Sequence, residues 1–293
     1  QAASPSATGL ANRAMGRRMG ANSGDVLADT GVWVKALHGS SDQSERGGVE
    51  GYNANSRGLI IGADGKLNEQ TTLGVALSHV RTDVSSDSHD KTDVTSNLLS
   101  VYGAWEQDAY DVQGSLSYGQ SRNEAKRFVV GEKIKGNYDS SVLSADLSAG
   151  YTYKVNPSFS LTPTVASRYN RVEIDSYNEK GSAAALRMNS QSLETFELGG
   201  GLKAAGMWGN FKPNARVMAF YDLAQDKANS SSAFLMGGNT FVTTGAPATK
   251  WTYEAGVGLD WVHGNYTIGA SYDYSRKADF NADTTYLNLR YDF

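Results

Sequence analysis

The sequence predicts an all-β transmembrane barrel of about 12 antiparallel strands, with an N-terminal α-helix inside the lumen. Three observations carry this reading. From residue 31 onward, apolar residues recur at every second position over long stretches, the period of a strand with one apolar face. The intervening positions hold charges that no dry core buries cheaply: Lys35, Asp146, Arg168, Glu197, Lys203, Arg216, Glu254, Asp260, Asp273 and Arg290. Connections alternate between short and long, as in barrels with tight turns on one membrane side and loops on the other.

Bulk properties narrow the choice further. The 293 residues suffice for one large or two ordinary domains. A formal net charge of −4 and a pI of about 5.6 leave no basic surface to bind nucleic acid. The mean hydropathy of −0.44 is that of a water-soluble protein, and no apolar run approaches the roughly 20 residues of a transmembrane helix. Neither excludes a membrane, because barrel strands alternate lipid-facing with lumen-facing residues. Sixteen Tyr and 32 Gly against 5 Pro suit long strands with aromatic girdles. With no Cys, disulfide and thiolate chemistry are excluded.

Residues 1–30 differ from the rest. Ser6 or Thr8 can cap a helix over residues 10–19, and Gly20 can end it. Arg13, Arg17 and Arg18 lie close together on it with no acid among them. Its apolar face is too small to dock in a core, so it suits an acidic, water-filled cavity. Taken alone, it reads as a frayed surface helix or linker. Residues 1–9 lack the apolar region of a signal peptide, so an exported protein would be a mature product or a piece of a longer one. The expected division is residues 1–30, linker and lumen helix, and residues 31–293, barrel.

The first strand, about residues 31–40, sets Val32, Val34 and Ala36 against Trp33, Lys35 and Leu37, so its polarity is ambiguous. After a polar loop at 41–50, the second (about 55–67) turns Leu59, Ile61 and Ala63 outward, and the third (about 71–82) turns Leu73, Val75 and Leu77. A polar loop at 85–91 precedes the fourth (about 94–106; Leu99, Val101, Trp105). A tight connection leads to the fifth (about 110–128; Val112, Leu116, Tyr118), then a charged loop at 131–136. The sixth (about 138–154) sets Leu143, Ala145 and Leu147 against Asp146 and Ser148. Asn156-Pro157 turns into the seventh (about 159–177; Phe159, Val165, Tyr169).

A loop at 178–184 precedes the eighth (about 188–208; Phe196, Leu198, Leu202), and Gly209-Asn210 signals a hairpin into the ninth (about 211–223; Val217, Tyr221). The longest loop, 224–248, leads to the tenth (about 250–262) and, past His263-Gly264, the eleventh (about 266–277; Ile268, Tyr272). After a loop at 278–282, residues 283–293 alternate Thr285, Leu287, Leu289, Tyr291 and Phe293 against Thr284, Tyr286, Asn288, Arg290 and Asp292. That stretch alone fits a soluble sandwich as well as a barrel. In a barrel it pairs with the first strand and leaves no open edge. Trp251 and Trp261, ten residues apart on one face, match the ~9–11 residues of a tilted membrane-crossing strand. Trp105, Tyr153, Phe159 and Trp208 sit near short turns, where an aromatic girdle belongs.

Candidate chemistry is sparse. Asp64-Gly65-Lys66 lacks the upstream Gly and following Ser or Thr of a phosphate loop. His38, His79, His89 and His263 have no metal-ligand spacing. Gly39-Ser40 and Gly114-Ser115 lack the strand–elbow–helix setting of a hydrolase. No catalytic residue, metal or cofactor is expected. The expected electrostatic role of the inward acids Asp146, Glu197, Glu254, Asp260 and Asp273 is to attract Arg13, Arg17 and Arg18.

The chain resembles the translocator domain of a monomeric (type Va) autotransporter. The resemblance rests on the arginine-bearing segment 10–20 followed by Thr30-Gly-Val-Trp-Val-Lys35, on Gly58-Leu-Ile-Ile-Gly-Ala-Asp64, on Leu161-Thr-Pro163 with Tyr177-Asn-Glu179-Lys-Gly181, on Leu198-Gly-Gly-Gly-Leu202 and on Arg290-Tyr-Asp-Phe293. It implies a twelve-stranded outer-membrane barrel whose lumen is crossed by the N-terminal helix, below a secreted passenger in cis. It also implies assembly by the barrel-assembly machinery, aided by periplasmic chaperones, with Leu289, Tyr291 and Phe293 as the assembly signature. One subgroup cuts its passenger at an Asn-Asn bond in the helix. Residues 13–20 here contain no such pair, so no cleavage residue carries over. A self-plugged barrel needs no partner chain, which implies a monomer. A porin-like diffusion channel is the alternative, and it would need no inward arginine helix.

Overall fold

The computed structural model describes residues 30–45, 50–88, 90–129, 131–224, 229–234, 241–244 and 250–293. The expected helix, with Arg13, Arg17 and Arg18, lies outside the described residues. The strands in order are β1 (Gly31–Gln43), β2 (Tyr52–Lys66), β3 (Thr71–Ser86), β4 (Lys91–Gln107), β5 (Tyr110–Val129), β6 (Glu132–Tyr151), β7 (Tyr153–Asn156) and β8 (Phe159–Ile174). Then follow β9 (Tyr177–Asn178), β10 (Leu186–Met188), β11 (Gln191–Gly206), β12 (Phe211–Asp222), β13 (Asn229–Phe234), β14 (Phe241–Thr244), β15 (Trp251–His263), β16 (Tyr266–Lys277) and β17 (Phe280–Asp292).

Twelve long strands form a closed antiparallel barrel, with β7 extending the line of β6. Each long strand pairs with the next along the chain, and β8 pairs with both β6 and β11. The ring closes between β1 and β17, from Gly31 opposite Asp292 to Gln43 opposite Phe280. Closure removes the exposed edge that Leu287, Leu289 and Tyr291 would otherwise present.

Burial is inverted relative to a water-soluble protein. On β3 the small and polar Thr72, Gly74, Ala76 and Ser78 point inward, while Leu73, Val75 and Leu77 point outward, Leu77 with 56% of its surface exposed. Leu59, Ile61, Leu99, Val101, Leu116, Leu147, Val165, Val217, Val257, Ile268 and Leu287 continue this outer apolar surface around the barrel. Inside, Lys35, Arg168, Glu197, Arg216, Glu254 and Asp273 are buried. An apolar surface this continuous needs hydrocarbon against it. The first strand's ambiguity resolves with Trp33, Lys35 and Leu37 inward.

The two rims differ. At one, which we term the turn end, every connection is short, and Asp108, Gly209 and Gly264 take left-handed φ of 56°, 59° and 57° to make the tight reversals. The other, the loop end, departs from the expected polar loops at 85–91 and 131–136. There β3 runs on to Ser86 and β4 resumes at Lys91, while β5 and β6 meet across Gly131. These hairpins carry polar residues on both faces, so they continue pairing beyond the apolar band instead of unravelling into loops. The loop expected at 224–248 contains β13 and β14, and the one expected at 178–184 is flanked by β9 and β10; β14, β13, β10 and β9 form a second, four-stranded sheet. Leu186–Met188 pairs with the strand Asn229–Phe234, joining two excursions far apart in sequence.

Candidate functional site

The lumen wall is the chemically distinctive part of the barrel. Its positions are set by strand parity: once Val165 and Val217 face lipid, Arg168 and Arg216 must face inward. Two polar clusters result.

The first runs along one side of the lumen wall, over β6, β8, β11, β12, β15 and β16. Arg168 on β8 donates from Nη1 and Nη2 to the two carboxylate oxygens of Glu254 on β15, both at 2.8 Å. The Arg168 guanidinium lies 3.4 Å over the ring of Phe220, so the cation is held by a carboxylate and an aromatic face together. Asp146 Oδ1 approaches Arg168 Nε at 3.9 Å. Arg216 on β12 donates to Asp273 on β16 at 2.9 Å and reaches Glu254 at 3.9 Å. Beside them, Thr252 donates to fully buried Glu197 at 3.2 Å. A cavity lined by Ser115, Ser148, Thr164, Lys203, Arg216 and Met218 opens alongside.

The structure therefore gathers four of the five sequence-predicted acids, Asp146, Glu197, Glu254 and Asp273, around wall arginines and Thr252. Asp260 lies on the same face of β15, nearer the turn end, and is half-buried. The three arginines assigned to the helix fall outside the described residues.

The second cluster sits at the turn end of the seam. Arg290 on β17 makes a bidentate pair with Asp64 on β2, at 2.7 and 3.0 Å. Trp33 Nε1 donates to Asp64 at 3.1 Å and to the Tyr102 hydroxyl at 2.7 Å, and Tyr102 donates to Asp64 at 2.7 Å. Gly62 and Gly74 make room for these rings: a Cβ at either would stand 2.3 Å from Trp33 or Tyr102. From the sequence, Asp64 is weighed for chemistry only as part of a phosphate loop, and rejected. The parity of Leu59, Ile61 and Ala63 already turns Asp64 inward and was the available signal.

At the turn end the expected aromatics Trp105, Tyr153, Phe159 and Trp208 are exposed, and further tyrosines join them. Tyr110 packs edge-on to Tyr151 at 5.0 Å, and Tyr266 packs on Tyr291 at 4.9 Å. Tyr291 contacts Phe293 in turn at 5.4 Å, and Phe293 N donates to Thr30 O at 2.9 Å. Leu289 and Phe293 are exposed and Tyr291 is half-buried. Above the loop end, Arg127 pairs with Glu179 at 2.5 Å, and Leu186 N donates to the same carboxylate at 2.8 Å. Hydrogen bonding to Glu179 pushes the Arg127 guanidinium above its ordinary pKa. Burial pushes the hydroxyl of Tyr177, stacked on Tyr138, upward as well.

The family model described as "Autotransporter beta-domain" matches residues 32–273. The chain belongs to this family. An autotransporter β-domain is a secretion barrel of the bacterial outer membrane, and this one has the fold to match. Outer membrane protein A of Rickettsia conorii is 27% identical over 291 residues, covering 92% of this chain and 14% of the relative. Outer membrane protein B of Rickettsia prowazekii is 25% identical over 283 residues, covering 90% and 17%. The chain thus spans less than a fifth of these curated relatives. Among solved structures, the translocator domain of autotransporter NalP from Neisseria meningitidis superposes with a TM-score of 0.82 at 21% identity, covering 98% of both chains. The β-domain of the Bordetella autotransporter BrkA gives 0.65 at 16% identity, covering 91% of this chain and 100% of the other. At these identities the likeness concerns the fold. The family assignment does not favour a diffusion porin.

Proposed function

We propose that this β-domain anchors in the outer membrane, with its loop end outward, and lets a passenger preceding it in the same polypeptide reach the cell surface. The observation supporting this is a polar, acid-bearing lumen enclosed by a ring without an open edge. Such a lumen is wet enough to carry extended backbone, whose amide groups would be unsatisfied in lipid.

In this reading residues 10–20 form a helix that closes the pore after export. Asp146, Glu197, Glu254, Asp260 and Asp273 supply the negative field that holds Arg13, Arg17 and Arg18, while residues 31–293 form the anchor. The barrel acts as a single chain, and its assembly partners are the barrel-assembly machinery and periplasmic chaperones. The chemistry required is conduction and retention, with no bond-making step. The test is single-channel conductance in planar bilayers. The full chain is expected to conduct little and a chain beginning at Asp29 to conduct openly. Equal conductance of the two would remove the plug. The export reading is tested separately, by surface display of an epitope fused ahead of Gln1.

A further inference from the structure

The outward face carries two arginines with a histidine beside them, just above the apolar band. Arg57 on β2 lies directly opposite Arg81 on β3 in the ladder, and His38 on β1 lies directly opposite Arg57 on the other side. All three side chains are exposed. One position below them on the same face come Leu59 and the His79–Asn97 hydrogen bond at 2.8 Å, and below those Ile61, Leu77 and Leu99. Like charges placed directly across a strand pair repel and destabilise the pair unless something of opposite sign lies between them.

Among the described residues, nothing does so: neither Arg57 nor Arg81 has a carboxylate within ion-pair distance. The neighbours of His38 on β17 and of that residue on β16 are Thr285 and Tyr272. The nearest outward acids form the next row toward the loop end, where Asp83 faces Asp93, and Asp93 is taken by Lys126 at 2.9 Å. Of the other exposed arginines on the outer face, Arg171 meets Glu173 at 2.7 Å and Glu194 at 3.0 Å, while Arg122, opposite Thr95 in the same row, faces Asp139 across the next strand pair.

We propose that Arg57 and Arg81, with His38 beside them, bind the phosphate groups of a phosphorylated lipid in the outward leaflet. The position decides the class of ligand. A headgroup phosphate stands at the border of the hydrocarbon, and the paired guanidinium groups stand at the border of the apolar band. Acyl chains below the phosphate then lie along Leu59, Ile61 and Leu77, while two planar forks share one or two phosphates. The siting in the outward leaflet rests on the orientation proposed above. The binding itself does not depend on export, so the two fail independently.

The experiment uses the full chain refolded in detergent, with native mass spectrometry reading bound lipid. The probes are a bisphosphorylated glycolipid, the same lipid with its phosphates removed, and inorganic phosphate. The wild-type chain is expected to retain the phosphorylated lipid at least about tenfold better than the dephosphorylated one. R57Q/R81Q is expected to lose that preference and R171Q to keep it. Equal retention of both lipids by the wild-type chain, or an unchanged preference in R57Q/R81Q, overturns the proposal. Inorganic phosphate competing as strongly as the lipid, mole for mole, would mark a free-anion site and overturn the lipid assignment. The wild-type preference is read without any variant, so a folding defect cannot obscure the result.

Discussion

Arg290 grips both carboxylate oxygens of Asp64, although β1 runs between their two strands. The pair straddles the seam where the ring closes. Removing one partner leaves the other charge buried, which costs about 3–5 kcal/mol for pairs of this kind. Arg290→Met is therefore expected to lower markedly the temperature at which the folded band disappears in heat-modifiability gels. The double change Arg290→Met with Asp64→Asn should recover part of that loss. A double variant as unstable as the single one would mean that the pair does not act as a unit.

The strut between Arg168 and Glu254 makes a similar but distinct prediction. It links β8 and β15 over the two strands between them, and Phe220 and Arg216 complete its surroundings. Glu254→Gln keeps the shape and removes the charge, leaving Arg168 and Arg216 facing each other with less compensation. Stability should fall by about 3–5 kcal/mol, with a shift of ion selectivity toward anions in any open state. Unchanged reversal potentials in a salt gradient would contradict the second expectation.

Above the loop end, Arg127 and Glu179 pin the second sheet to the β5–β6 hairpin. Glu179→Ala removes the acceptor for Arg127 and for the amide of Leu186 together. Limited proteolysis should then cut between β8 and β11 while the barrel core stays intact. Cleavage no faster than wild type would show that the sheet holds without this pair.

The lipid face is tested at Leu77. Leu77→Lys places a cation in the apolar band, at a cost of about 2–4 kcal/mol near the bilayer midplane. Folding yield into vesicles should drop, with little change for Lys at Ser78 on the lumen side. Equal effects at the two positions would contradict the assignment of faces.

Phe293 extends the girdle through Tyr291 and Tyr266. If Leu289, Tyr291 and Phe293 act as the assembly signature, Phe293→Ala reduces the amount of barrel reaching the outer membrane in cells. Normal yield would count against the signature and leave the barrel untouched.

Much of this fold was legible because period-2 alternation is local. The eleventh strand, residues 266–277, needed only its own residues to be read, and the structure returns Tyr266–Lys277. Alternation also turned Arg168, Glu254 and Asp273 inward. It could not say that Arg168 meets Glu254, because that depends on how twelve registers wrap into a ring. Trp33 and Leu37 hid the polarity of β1, since both of its faces are apolar and the inward ring is satisfied by Asp64 and Tyr102, far away in sequence. The second sheet escaped for the same reason. Leu186–Met188 is too short to show a period, and its partner lies in another excursion.

The order of pairing also carries a kinetic consequence. Every barrel strand except one finds its partner in the strand that comes next along the chain, so these hairpins can zip locally and in parallel. Pairing β1 with β17 instead gathers the whole domain into a single loop, the largest closure entropy in the barrel. Topologies that defer one such long-range step fold slowly and spend their waiting time with two adhesive edges exposed. The last event in maturation should therefore be the meeting of Val34 with Leu289, and slow assembly should trace to that event.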